Sequence, residues 1–584
     1  MKSKISYLVL GCICALWSLN GYAQSSRAPV IQSKSYPQGY FRSPLDIAHQ
    51  ASGTFGELRS THFHAGDDYR TQQRVGLQLY AVAEGYISRL RVQAGGGGHS
   101  LYITHPNGYT SVYLHMEKFA AAHEARVRQE QYKQQRFEVD VELGPDELRV
   151  NKGDRIGLAG NTGSSQGPHL HFEIRDTESQ DPINPQLFGL HFPDNIPPLI
   201  QGITLYDLGG EVFNEHTPRR HFKPVSGGAG QYRLDRSTPI PVNGRFGIGI
   251  QTIDRHNGTT FNSGVYSIEL LLDGSPVSTV VFERLSFATS GAIHSYTDYP
   301  HFITNRARIQ KSFKDPNNPI NIFYELQGDG SLDLTAPHHA AGIKTLTYRV
   351  RDVHGNTSVI SFPVTQDNGY QPARKAQTGT TWFRYSQDNA YAADNLQIKV
   401  PKDALYDDLY FNYSQSSRPD GGYSLMQHVH NNLTPLAASY ELRIRPDQSL
   451  PERLYSKALI VNERGNSVGG RFEDGFVRTQ TRTFGNFYVS VDTVAPSIRP
   501  QNISAGRNMA GQASIRFQIS DNLSGIASYH GYLNGEWVLM EYDPKTRSLR
   551  HNFQAGLGKG RHRFRLEVKD GKENVSVFEA EFVR

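Results

Sequence analysis

Four short runs in the first third of the chain are rich in aromatic and aliphatic residues: Leu79-Tyr80-Ala81-Val82, Tyr86-Ile87-Ser88-Arg89-Leu90, Ser100-Leu101-Tyr102-Ile103-Thr104 and Thr110-Ser111-Val112-Tyr113-Leu114. Short runs of this composition read as strands, and Pro106-Asn107-Gly108 supplies a hairpin turn between the last two, so an antiparallel sheet is expected. Residues 117–136 break the pattern. They are rich in Ala, Glu, Gln, Lys and Arg and contain no Gly or Pro, which predicts an exposed helix inserted between strands.

Beyond residue 197 the pattern recurs. Val350-x-Asp352-x-x-x-Asn356-x-Ser358 returns as Val568-x-Asp570-x-x-x-Asn574-x-Ser576, with a looser copy, Asn462-x-x-x-Asn466, between them. The turns lie about 110 residues apart, the length of one β-sandwich. Ser263-Gly264-Val265 leads to Asp273-Gly274 as Ser524-Gly525-Ile526 leads to Asn534-Gly535, each copy reading as two strands joined by a tight turn. The turn Asp and Asn side chains are read as closing their own loops rather than binding calcium. The expected fold class is all-β. An antiparallel sheet domain over 61–197 follows a leader over 24–60, and sandwich modules follow at 198–365, 382–490 and 491–584, with a linker over 366–381.

The first 23 residues change the compartment. Lys2 and Lys4 precede an apolar stretch over 5–19 and a Gly21-Tyr22-Ala23 end, the plan of a secretory signal peptide cleaved before Gln24. An exported protein, periplasmic or secreted, is expected. Both cysteines, Cys12 and Cys14, fall inside this segment, so the processed chain has no thiol and no disulfide. No later stretch reaches the ~18 apolar residues of a membrane span. Sixty-one Lys and Arg against 56 Asp and Glu, without a basic run, give no reason to expect nucleic acid.

Candidate chemistry concentrates between residues 61 and 190. His64-Ala65-Gly66-Asp67-Asp68 sets an imidazole and a carboxylate four apart around a glycine, and Gly167-Pro168-His169-Leu170-His171 sets two imidazoles two apart. On a strand the latter pair shares a face. A zinc ion with three protein ligands keeps a position open for water, whereas closed structural sites usually draw on Cys, which is absent here. The metal is therefore read as catalytic. His62, His99, His105, His216, His221, His338 and His339 are read as surface or loop groups, and Arg59 as a solvated arginine by default.

Taken together, His64-x-Gly66-x-Asp68, Val112-Tyr113-Leu114-His115 and Gly163-Ser164-Ser165-Gln166-Gly167-Pro168-His169-Leu170-His171-Phe172-Glu173 resemble the lysostaphin/LytM-type zinc metallopeptidases, which cut bacterial peptidoglycan peptides. Tyr109, Val150-x-Lys152-Gly153-Asp154 and the Gly160-Asn161-Thr162-Gly163 run are similar to that family too. The resemblance covers about 130 residues. It implies one Zn2+ held by His64, Asp68 and His171, with His115 and His169 as unligated catalytic histidines, and peptidoglycan peptides as substrate. Some relatives use an upstream tyrosine at the oxyanion. None lies between Tyr40 and Tyr69, which leaves Arg59, Asn161 and backbone amides as candidates. Residues 198–584 look like the immunoglobulin-like tails of such exported proteins in Bacteroidota-type bacteria, a surface for a cell-envelope protein partner. The competing reading is a non-catalytic or regulatory cell-wall-binding protein, an amidase activator or scaffold; such relatives typically lack ligands, and all five positions are present here. Residues 25–197 are expected to fold and cleave alone, with the helical insert and the tail controlling access to the groove.

Overall fold

The computed structural model describes residues 30–335, 342–375, 379, 381–554 and 556–584. The segment 1–23 expected to be a signal peptide, His338 and His339 lie outside the described residues. The first unit is built from β1 (Ala51–Gly53), β2 (Asp67–Arg70), β3 (Gln78–Tyr80), β4 (Gly85–Val92), β5 (His99–Thr104), β6 (Tyr109–Phe119), α1 (Ala121–Gln134), β7 (Val139–Glu142), β8 (Arg149–Val150), β9 (Arg155–Ala159), β10 (His169–Asp176) and β11 (Pro182–Ile183). They form one sheet ordered β1-β2-β10-β6-β5-β4-β7, with β9 joining β6 to β3. The four strands expected from the sequence become β3 to β6, and the sheet is antiparallel throughout. Leu170 and Phe172 point from β10 into a core with Leu101, Ile103 and Tyr113. Their alternation turns His169 and His171 to the opposite face.

Two expectations are corrected here. Residues 36–60 are not an extended leader: Tyr36, Phe41, Leu45 and Ala51 belong to the core of the first unit, and β1 pairs with β2. The helix is shorter than 117–136 and not wholly exposed. Glu117 to Phe119 finish β6, while His123, Val127 and Gln131 are buried on the inner face of α1.

Three further units each place two sheets around a shared core. The first holds the strands Leu199–Asp207 and Arg245–Ile253 in one sheet and Ser267–Leu272, Ile343–Arg351 and Thr357–Gln366 in the other. The next spans Asn389–Ala393 to Gly485–Val491, and the last Ser497–Pro500 to Val575–Val583. Phe55 and Phe63, from the first unit, pack in the core of the first sandwich.

Candidate metal centre and catalytic groove

Register brings the metal-type residues together. β10 lies between β2 and β6, so His171 stands opposite Asp68 on one side and Leu114 on the other. His64 arrives on the loop just before β2, whose ends are tied by the His64 amide to the Glu57 carbonyl at 2.9 Å and the Gly56 amide to the His64 carbonyl at 2.9 Å. Gly66 is required at this bend, because a Cβ there would meet the Phe172 carbonyl oxygen at 2.3 Å.

His64 Nε2 lies 3.0 Å from Asp68 Oδ1 and 2.9 Å from His171 Nδ1, and His171 Nδ1 lies 2.9 Å from Asp68 Oδ1. Tetrahedral zinc with N and O ligands at about 2.0–2.1 Å holds its donors about 3.3 Å apart. The three donors fit such an ion with an outward shift of a few tenths of an ångström.

The partners of the remaining ring nitrogens fix each tautomer. His64 Nδ1 donates to the Thr54 carbonyl at 2.9 Å, leaving Nε2 as donor atom toward the site. His171 Nε2 donates to Glu173 at 2.9 Å, leaving Nδ1, and Glu173 is itself held by Arg175 Nε at 2.5 Å. His115 Nδ1 donates to the Thr162 carbonyl at 2.9 Å and His169 Nδ1 to the Gly167 carbonyl at 2.8 Å. Outer partners of this kind orient metal-binding and proton-handling imidazoles. The His115 and His169 rings lie 4.9 Å apart, and His169 Nε2 is 3.5 Å from Asp68 Oδ1. His115 sits at φ +61°, in an irregularity of β6 where pairing to β5 shifts register between Tyr113 and Met116. The left-handed backbone there interrupts the strand's regular alternation at His115.

Burial lowers His64, and burial together with the charges of His169 and His171 lowers His115 to about 3. His171 goes the other way: burial lowers it, but its hydrogen bonds and charge interactions with Asp68 and Glu173 prevail and raise it to about 9. Asp68 is held well below the carboxylate range, since the surrounding histidines outweigh its burial. Its Oδ2 accepts from Arg59 at 2.8 Å, so Arg59 is not the solvated residue expected by default. Its neighbour Glu57 is raised to about 7, first by burial. Asp67 faces away from the site, accepts from the Phe55 amide at 3.0 Å and is raised to about 8 by burial.

The other histidines differ in detail from expectation. His62 is exposed, and His99 stacks on Phe119 with ring centroids 5.6 Å apart. His105 is buried rather than decorating its turn, bridging the Glu84 carbonyl and Ser111 Oγ. His216 lies 3.8 Å from Glu215, and His221 bonds Thr204 Oγ1 at 2.9 Å. Sequence reasoning assigned no role to Glu173 or Thr54. Glu173 was legible from its position two residues beyond His171 on the same strand face; the Thr54 carbonyl carries no sequence signal. The last sandwich reaches the groove loop: Lys545 Nζ donates to the carbonyls of Asn161 and Ser165, and Trp537 packs on Tyr132 of α1 with centroids 5.2 Å apart.

Residues 137–185 match the model of peptidase family M23. Residues 380–492 match that of the Zu5-like domain. Among curated proteins, the chain is 31% identical over 152 residues to a metalloprotease of Haemophilus influenzae, covering 24% of this chain and 26% of the relative. It is 29% identical over 167 residues to the DD-carboxypeptidase/endopeptidase Mpg of Neisseria meningitidis (28% and 29% covered). A peptidoglycan DD-endopeptidase of Vibrio cholerae, ShyC, is 28% identical over 163 residues (26% and 29%). The matched region thus spans under a third of each of these relatives. Among solved structures, a zinc containing peptidase from Vibrio cholerae aligns at 26% identity over 27% of this chain and 41% of that chain, with a TM-score of 0.20. The likeness to M23 metallopeptidases thus lies in the first third of the chain.

Proposed function

We propose that this protein is an exported zinc-dependent endopeptidase that hydrolyses peptide bonds in peptidoglycan stems or cross-links. The observation that carries the reading is the convergence of His64 Nε2, Asp68 Oδ1 and His171 Nδ1 at 2.9–3.0 Å, with two further imidazoles on the same face. The relatives named as peptidoglycan endopeptidases support the substrate class.

His64, Asp68 and His171 would hold the zinc ion, which would supply a Lewis acid and bring the pKa of a bound water toward neutrality. The chain's own residues do the rest. His115, with its Nδ1 proton committed to the Thr162 carbonyl, keeps Nε2 as the nitrogen that accepts a proton from the attacking water. His169, oriented through the Gly167 carbonyl, presents Nε2 on the same side for a second proton transfer or for a hydrogen bond to the scissile carbonyl. Glu173 and the Thr54 carbonyl keep the two ligating rings in the tautomers a metal needs. Arg59 is occupied by Asp68, which leaves the oxyanion to His169 and groove amides rather than to its guanidinium.

Digestion of purified sacculi, with products identified by mass, tests the reading. His115→Ala and His169→Ala are expected to keep zinc while losing about 10²–10⁴-fold in rate. A zinc-loaded wild-type chain inert on sacculi and on their soluble peptides would overturn the enzymatic reading in favour of a regulatory one.

A further inference from the structure

A second set of metal-type donors lies where the peptidase segment meets the first sandwich. Asp194, Asp254 and His256 are 7%, 1% and 3% exposed, and each offers a donor atom within 4.8 Å of the others. Asp194 follows Phe192, a residue of the peptidase-segment core, while Asp254 and His256 follow the strand Arg245–Ile253 of the sandwich. Asp352 approaches from a third direction and shares a hydrogen bond with Asp194. Its own position is fixed by its turn, through the amides of His354 at 2.8 Å and Asn356 at 2.9 Å.

Within this buried cluster Asp254 Oδ1 and His256 Nδ1 find no hydrogen-bond partner. Leaving such atoms unmet inside a protein is costly, and buried charge is normally paired or bound to a metal. The charges that act on Asp254 are those of Asp352 and Asp194, which add to burial in disfavouring its ionised form. Among the described residues no Lys or Arg side chain pairs with Asp254 or Asp352.

The chain carries an internal comparison. Asp492, Asp521 and Asp570 form the corresponding cluster at the start of the last sandwich. Asp194 and Asp492 each precede a proline by four residues, Pro198 and Pro496; Asp254 and Asp521 each lead to a Ser-Gly pair; Asp352 and Asp570 each open an Asp-x-x-x-Asn turn. In the last sandwich Lys572, two residues beyond Asp570, brings positive charge to Asp492 and Asp570. The matching position beyond Asp352 is His354, and His256 stands in a loop that the other copy shortens. The copy without the lysine is the copy with the imidazoles.

We propose that Asp194, Asp254 and His256 bind a divalent ion of the zinc or manganese kind, with Asp352 positioning Asp194. Mixed carboxylate and imidazole donors suit such ions better than calcium, which takes oxygen ligands alone. Because Asp194 comes from the peptidase segment and the other two ligands from the sandwich, the ion locks one to the other. Its burial makes it a structural ion rather than a second catalytic one.

Metal content of the full-length chain, stripped and then reconstituted with ZnCl2, MnCl2 or CaCl2 before desalting, tests this. The wild type is expected to retain about two equivalents of zinc, His171→Ala about one, and His171→Ala combined with Asp254→Asn essentially none. ZnCl2 or MnCl2 should also raise the Tm of His171→Ala but not of His171→Ala combined with His256→Gln, a milder change that guards against misfolding of the Asp254 variant. A wild type that binds one equivalent, all of it lost in His171→Ala, would overturn the junction site. Retention of the second equivalent in His256→Gln, or uptake of calcium alone, would overturn the imidazole ligand. A single equivalent kept in His171→Ala and lost in Asp254→Asn would instead support the junction site while overturning the proposed catalytic one.

Discussion

Zinc affinity should rise with pH above neutrality, and one residue sets the slope. In the metal-free chain His171 is held protonated, with a pKa of about 9, because Asp68 Oδ1 and Glu173 Oε1 each lie 2.9 Å from its two nitrogens. Zinc must displace the proton on Nδ1. At pH 7 this costs two pH units of deprotonation, about 2.7 kcal/mol or a factor of about 100 in apparent affinity. His64 is lowered by burial and Asp68 lies well below the carboxylate range, so neither releases a proton above pH 7. Apparent affinity is therefore expected to rise about tenfold per pH unit from 7 to 8.5 and to flatten beyond about 9. The fold without metal should respond in the opposite sense. A histidine raised from 6.5 to about 9 contributes stability that is complete below pH 6.5 and is lost as pH rises through 9, at most about 3 kcal/mol. Chelator-competition titrations at fixed ionic strength measure the first effect and denaturant midpoints of stripped protein the second. An affinity flat from pH 7 to 8.5 would show that His171 carries no extra proton, and a slope of two would show a second ligand titrating with it.

Gly66→Ala is expected to lose zinc affinity by more than about tenfold, since its Cβ would meet the Phe172 carbonyl oxygen at 2.3 Å and His171 Nε2 at 3.0 Å, and backbone at the centre of β10 cannot yield cheaply; zinc titration checks it. Stability should also fall in acid through His105, which burial lowers to about 4. A depressed histidine pKa means that its contribution is complete above pH 6.5 and is lost as pH falls toward 4, about 2 kcal/mol of it by pH 5. Urea midpoints at pH 7 and 5, compared with those of His105→Gln, measure this.

The parts of the site that were legible in the sequence are those set by strand periodicity. His169-Leu170-His171 reads as a strand with two imidazoles on one face, and the register of β10 against β2 gives them Asp68 as neighbour, whereas His115 reaches them through the left-handed break in β6. What was not legible depends on backbone groups and distant segments. The Thr54 and Thr162 carbonyls that set two tautomers could be any residue's, so no side-chain pattern announces them. The sandwich repeat was visible because its turns must close with Asp and Asn hydrogen bonds, as Asp352 with Asn356 and Asp570 with Asn574 do. The docking of those sandwiches on the peptidase segment was hidden, since single residues such as Phe282 and Lys545 make it.

That docking argues against the expectation that residues 25–197 suffice. Phe63 packs on Phe282 and Tyr296 of the first sandwich with ring centroids 5.8 and 5.9 Å away, and Gly56 is needed because a Cβ would lie 2.8 Å from the Phe282 ring. Glu283 accepts from Tyr36 Oη at 2.6 Å and from Ser33 N at 2.7 Å, and the Asn184 amide donates to its carbonyl at 2.9 Å. The Gly264 amide donates to Thr54 Oγ1 at 3.1 Å, on the residue whose carbonyl orients His64. Cutting after residue 197 would expose Phe55 and Phe63, at about 1.5–3 kcal/mol each, before these hydrogen bonds are counted. A loss of about 3–6 kcal/mol consumes much of the 5–15 kcal/mol that holds an ordinary domain together. The fragment 30–197 should therefore show a lower Tm, faster cleavage by added protease near residues 54–64 and weaker zinc binding, whereas the fragment 30–375 should match the full chain in all three near those residues. Equal Tm and equal zinc affinity for 30–197 and 30–375 would refute the reasoning, because Phe63 and the Thr54 contact to His64 would then owe nothing to the sandwich that covers them.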